Sequence, residues 1–160
     1  MTADPGLPKS DLMQGSGQFS TFFVADLFFG VDVLNVQEVL RFQQMTPVPR
    51  APEMIEGLIN LRGQIVTAID MRRRLEANRR EDGASVMAIG IEARGESFGL
   101  LVDAVGEVLK LADVEREPNP INLGGKLAAL SDGVYRLEGQ LLVVLDVDRV
   151  LDLRGERMAA

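Results

Sequence analysis

Residues 29–40 read Phe-Gly-Val-Asp-Val-Leu-Asn-Val-Gln-Glu-Val-Leu, and residues 98–109 read Phe-Gly-Leu-Leu-Val-Asp-Ala-Val-Gly-Glu-Val-Leu, a gapless match with seven of twelve positions identical. A second match follows in the same order. Residues 57–75, through Asn60-Leu61-Arg62-Gly63-Gln64 to Asp70 and Leu75, align on 133–151 with seven of nineteen positions identical. The spacing is 69 residues for the first match and 76 for the second, so both belong to one duplicated unit. Self-similarity at a fixed spacing marks a supersecondary unit that cannot bury its apolar face alone. A unit of about 65 residues is only marginally stable, whereas about 150 residues make an ordinary domain. The duplication therefore predicts two modules, about 18–82 and 83–153, packed on each other with a groove at their junction.

Working outward from the repeat, Phe19 to Ala25 reads as a strand, Asp26-Leu27 as a reversal and Phe28 to Val31 as the antiparallel partner. Val86 to Glu92 and Ser97 to Val102 repeat that hairpin around Ala93-Arg94-Gly95-Glu96. Residues 57–69 and 133–145 read as further hairpins, turning at Arg62-Gly63 and Glu138-Gly139. Asp70 and Asp146 end apolar runs and precede apolar residues at helical spacing, so both are expected to cap helix N-termini. Asp32 is expected to cap a helix over 32–40, with Val33, Val36, Val39 and Leu40 on its core face and Leu34 beside Glu38 on the other. Gly106 and Leu101 make the second copy a continuing strand over 101–112. The fold class is mainly β: two five-stranded barrels or curled sheets with short helices. Residues 1–17 read as a disordered leader and 156–160 as a tail, and Pro47, Pro49, Pro52, Pro118 and Pro120 mark extended connectors.

Composition narrows the function. The 160 residues contain no Cys, His or Trp, which removes the commonest metal ligands, the commonest general base and every Ser-His or Cys-His nucleophile. No catalytic residue, metal or cofactor is expected. A carboxylate enzyme would need Asp32, Asp70, Asp103 and Asp146 in one cleft, whereas the repeat places Asp70 and Asp146 in separate modules. A net charge of −7 opposes nucleic-acid binding; the run Arg72, Arg73, Arg74 with Arg79 and Arg80 reads as a solvated face beside Glu76, Glu81 and Asp82. No apolar stretch reaches the ~20 residues of a membrane span, and the first residues lack signal-peptide order, so a cytoplasmic protein without membrane insertion is expected.

Two repeat positions break symmetry in a way that architecture does not demand. Arg62 corresponds to Glu138 and Asn60 to Arg136. A guanidinium at Arg62 can hold a carboxylate such as Glu38, as a structural pair or as part of a docking surface, and Asn60 either satisfies turn backbone or faces that surface. Leu34 beside Glu38 is a second candidate for contact with a partner.

Phe29-Gly30 with Asp32, Val36-Gln37-Glu38-Val39, Gly57-Leu58-Ile59-Asn60-Leu61-Arg62-Gly63, Ile69-Asp70 and Phe98-Gly99-Leu100-Leu101-Val102-Asp103 together resemble the bacterial chemotaxis coupling proteins of the CheW family, in order from about Gln18 to Leu153. The resemblance implies two SH3-like β-barrels in pseudo-twofold arrangement and a non-catalytic adaptor. Its implied partners are the regulatory domain of a CheA-type histidine kinase and the cytoplasmic tip of transmembrane chemoreceptors, within membrane-associated arrays. Val36, Glu38, Asn60, Arg62 and Gly63 would fall at or near those contact surfaces, and the motif does not divide them between receptor and kinase. An adaptor of another two-component pathway, serving surface motility or a second messenger, is the neighbouring alternative; a small-molecule-binding barrel is a further one. Thr67, Asn119 and Ser131-Asp132-Gly133 depart from the family pattern.

Overall fold

The computed structural model describes residues 15–41, 55–61, 63–78, 84–93 and 95–152. The expected leader to residue 14, the tail, Pro47, Pro49, Pro52, Arg62, Arg79 and Arg80 lie outside them. The described chain forms β1 (Gln18–Val24), β2 (Leu27–Asp32), β3 (Val36–Arg41), β4 (Ile55–Leu61), β5 (Gln64–Asp70), α1 (Met71–Arg74), β6 (Met87–Ala93), β7 (Glu96–Val102), β8 (Ala104–Lys110), α2 (Gly125–Leu130), β9 (Ser131–Leu137), β10 (Gln140–Leu145) and α3 (Val147–Leu151). The first reversal is at Ala25-Asp26, both with positive φ, one residue before the expected Asp26-Leu27. That geometry matches the twist of a two-residue hairpin.

The strands make two five-stranded SH3-like sheets, in the orders β8-β1-β2-β10-β9 and β3-β6-β7-β5-β4. By the sequence repeat β1 to β5 correspond to β6 to β10, and under that correspondence the two orders are the same. Both sheets even carry their one parallel pairing at equivalent places, β2 with β10 and β7 with β5. Each sheet takes its leading hairpin from one repeat and its other three strands from the other repeat. The expected division into modules 18–82 and 83–153 is therefore corrected: the repeats exchange hairpins. Duplicated units present equivalent pairing edges, so a hairpin meets the same surface in either copy, as in domain swapping.

Alternation of side chains then builds three cores. In β7, Leu100 and Val102 face the junction while Leu101 faces the interior of its own sheet, and β10 repeats this with Val143 and Leu145 against Leu142 and Val144. The junction core joins Phe22, Phe29 and Val31 of one sheet to Ile69, Ile89 and Leu100 of the other. Strands buried on both faces explain the near-continuous apolar runs. The repeated Phe-Gly follows from this: Phe29 is fully buried in the junction, and the next residue faces a barrel interior. A Cβ at Gly99 would lie 2.6 Å from Ile59 Cδ1, and one at Gly30 3.2 Å from Leu142 Cδ2. Gly99→Val is expected to cost about 1–3 kcal/mol by overpacking, read from the urea midpoint at unchanged slope.

The helix ends behave as expected in two places. Asp70 accepts from the Arg72 amide at 3.0 Å and Asp146 from the Arg149 amide at 3.3 Å. Asp32 accepts from the Leu34 amide at 2.8 Å, but it caps only a 3₁₀ turn, Val33–Asn35. The expected helix over 32–40 is instead that turn followed by β3. Val36 and Leu40 alternate with exposed Gln37 and Arg41, and pairing of β3 with β6 satisfies the backbone of a β-branched segment better than an isolated short helix. Asp32 also accepts from the Ser16 amide and hydroxyl at 3.0 and 2.9 Å, tying down the end of the expected leader. The departures at 119 and 131–133 close on each other, Ser131 Oγ donating to Asn119 Oδ1 at 2.6 Å and accepting from the Gly133 amide at 3.1 Å.

Candidate protein-binding surface

Leu34, Val36, Asn60 and Gly63 gather at one end of the β3-β6-β7-β5-β4 sheet. Val36 pairs with Ile91 and Ile91 with Phe98, Phe98 with Thr67, and Ile65 with Asn60. The start of β3 and the β4–β5 tip therefore project from the same edge of the barrel. Leu34 is 73% exposed and Ile65 61%, a large apolar exposure for one barrel end. Asn35 Nδ2 donates to the Glu92 carbonyl at 3.2 Å and Gln37 Nε2 to Glu92 Oε1 at 3.3 Å, which fixes the turn against β6.

Asn60 Oδ1 accepts from the Gly63 amide at 2.7 Å, and Gly63 has φ +82°. The Asn60 side chain thus performs the turn role while remaining exposed at the tip. The wheel places Glu38 on one helix face with Leu34, and the structure corrects this: Glu38 lies in β3, half-buried, with Oε2 enclosed by protein. The Glu38–Arg62 pairing lies outside the described residues.

Within the arginine run, Arg72 and Arg74 are structural rather than part of a solvated face. Arg72 grips Asp103 through Nε at 3.0 and 3.1 Å and Nη2 at 2.8 Å, and the hydrogen bond to Asp103 leads the causes that raise the Arg72 pKa above its ordinary value. Asp103 also accepts from the Ala25 amide at 2.8 Å, so this pair ties α1 of one sheet to the first hairpin of the other. Arg74 is 5% exposed; its Nε donates to the Val150 carbonyl at 3.0 Å and Nη2 to the Arg149 carbonyl at 2.9 Å. It satisfies the open C-terminal end of α3. Sequence reasoning missed this, although the repeat counterpart of Arg74 is Val150, a core residue.

The four aspartates fall in two separated pairs. Asp70 and Asp103 flank Arg72, while Asp32 and Asp146 line a cleft of about 320 Å³ with Leu34, Arg116, Asp132 and Asp148. Arg116 lies 5.5 Å from the ring centres of both Phe19 and Tyr135 and bonds Asp132 at 3.1 Å, roofing that barrel. Among the described residues no His, Cys, Asp or Glu cluster is arranged to hold a metal, and no helix is long and apolar enough to cross a membrane. What this surface offers is apolar side chains, turn backbone and charge on a rigid two-sheet body, the chemistry of protein docking.

Comparison with known proteins agrees in scale and fold. A family model described as CheW-like domain matches residues 18–155. The chemotaxis protein CheW of Rhizobium meliloti strain 1021 is 31% identical over 149 residues, covering 93% of this chain and 96% of that protein. Protein FrzA of Myxococcus xanthus is 33% identical over 147 residues, covering 89% and 90%. The crystal structure of the scaffolding protein TtCheW from Thermoanaerobacter tengcongensis superposes with a TM-score of 0.76 at 29% identity, covering 86% of this chain and 94% of that one.

Proposed function

The chain belongs to the CheW-like domain family, and from that membership we propose that it is a non-catalytic chemotaxis adaptor coupling transmembrane chemoreceptors to a CheA-type histidine kinase. The observation that carries this reading is a family match spanning both sheets and their shared core, in a body whose exposed features suit docking rather than chemistry. The finer assignment is that the receptor's cytoplasmic tip and the kinase's regulatory domain are the partners, recruiting the protein to membrane-associated arrays. Two binding surfaces on one rigid body hold receptor and kinase at fixed separation, so that movement of one biases the other. Leu34, Val36, Glu38, Asn60, Arg62 and Gly63 are the residues proposed to meet them.

Arg62→Glu tests the surface. It is expected to weaken binding of kinase regulatory domain or receptor tip by about tenfold or more, the scale of one hot-spot contact, with the thermal midpoint unchanged. Loss of folding would make Arg62 structural, and unchanged binding to both partners would remove it from the surface.

A further inference from the structure

The turn that carries Leu34 is held from two directions. Asn35 and Gln37 fix it to Glu92, and Asp32 fixes it to the residues in front of β1. Oδ1 of Asp32 accepts from the Leu34 amide at 2.8 Å and from the Ser16 hydroxyl at 2.9 Å, while Oδ2 accepts from the Ser16 amide at 3.0 Å. Ser16 Oγ in turn accepts from the Gln18 amide at 3.1 Å, and the Gly17 carbonyl accepts from the Leu111 amide at 2.8 Å. Gly15-Ser16-Gly17 is therefore a clasp seated between the end of β2 and the end of β8. Its glycines are needed: φ is +88° at Gly15 and +79° at Gly17, and a Cβ at Gly15 would overlap the Asp32 carboxylate.

The barrel itself does not demand this clasp. At the 69-residue spacing of the repeat Ser85 stands for Ser16, but Ala84 and Val86 stand for the two glycines and buried Leu101 stands for Asp32. The second repeat has no carboxylate there for its serine to hold. We propose, resting on the adaptor reading above, that Ser16 is a positioning residue for partner binding: acting through Asp32, it holds the turn that presents Leu34. A single 3₁₀ turn has little stability of its own. Its cap is the Asp32 carboxylate, and the two charge-assisted bonds from Ser16 fix the orientation of that carboxylate. Leu34, 73% exposed, is then offered already ordered, so a partner does not have to order it on binding.

Amide hydrogen exchange and calorimetric titration of the full chain, with a kinase regulatory domain and separately with a receptor signalling-tip fragment, test this together. Leu34→Ala identifies which partner Leu34 meets. Ser16→Ala is expected to weaken binding of that same partner about fivefold and to speed exchange of the Leu34 amide, while exchange at Leu100 in the junction core stays as in wild type. Ser16→Thr keeps the hydroxyl and is expected to restore both. Gly15→Ala, which keeps Ser16 but pushes into the Asp32 carboxylate, is expected to reproduce Ser16→Ala. In the double variant Ser16→Ala with Leu34→Ala the two losses are expected to overlap rather than add, because one residue acts through the other. Wild-type affinity in Ser16→Ala, additive losses, no rescue by threonine, or exchange that quickens at Leu100 as much as at Leu34 overturns the positioning role while the adaptor reading stands. So does a Leu34→Ala variant that binds both partners as wild type does. A wild type that binds neither partner overturns the adaptor reading, and exchange then decides the clasp alone: faster exchange at Leu34 in Ser16→Ala upholds it and unchanged exchange overturns it.

Discussion

Arg74→Ala is expected to destabilise the folded chain by about 3 kcal/mol, among the largest effects of any single substitution in it. The guanidinium is buried between α1 and α3 and donates to the carbonyls of Val150 and Arg149 at 3.0 and 2.9 Å, with the Asp152 carbonyl at 3.4 Å. Hydrogen bonds from a charged donor contribute about 1.5–3 kcal/mol each. Alanine leaves those acceptors unsatisfied and a void where the side chain lay. Arg74→Lys keeps the charge but loses the planar fork that reaches two carbonyls, so it is expected to recover only part of the loss. Urea titration of both variants checks this. A cost below about 1 kcal/mol for alanine would mean that water replaces the guanidinium at the end of α3.

The second large effect is at Phe29. Its ring is fully buried in the junction core and stacks on Phe22 with centroids 5.5 Å apart, so Phe29→Ala is expected to cost about 3–5 kcal/mol. Its repeat counterpart Phe98 is only partly buried at the same core, and Phe98→Ala is expected to cost distinctly less. The manner of unfolding is as informative as the amount. Because each sheet contains strands of both repeats and both sheets share the junction core, neither can unfold alone, and calorimetry is expected to show one transition in wild type and variant alike. Two separated transitions, with only one moved by Phe29→Ala, would contradict the exchanged topology.

Much of this fold was legible in particular residues. Turn chemistry at Gly63, Gly95 and Gly139, each with φ near +80°, placed the hairpins, and the repeated Asp70 and Asp146 placed two short helices. The stretch 32–40 was misread because Val33, Val36 and Leu40 fit a helical period while Val36, Glu38 and Leu40 fit a period of two. Pairing with β6, which no local pattern reveals, decided for the strand. The hairpin exchange was hidden by the duplication itself, since both copies offer the same edges. Leu34, Val36, Asn60 and Gly63, proposed from sequence as contact residues, share one barrel end, whereas the pairing of Asp103 with Arg72 depends on a contact across 31 residues. An arginine among arginines carries no mark of its partner.

The central claim is that one rigid body joins receptor to kinase, and the most direct test is a titration of the purified chain with the regulatory domain of its cognate CheA-type kinase, with a receptor signalling-tip fragment, and with both together. The account predicts binding to each and a ternary complex in which neither partner displaces the other. Binding to neither by a folded protein, or mutually exclusive binding of the two, would contradict it.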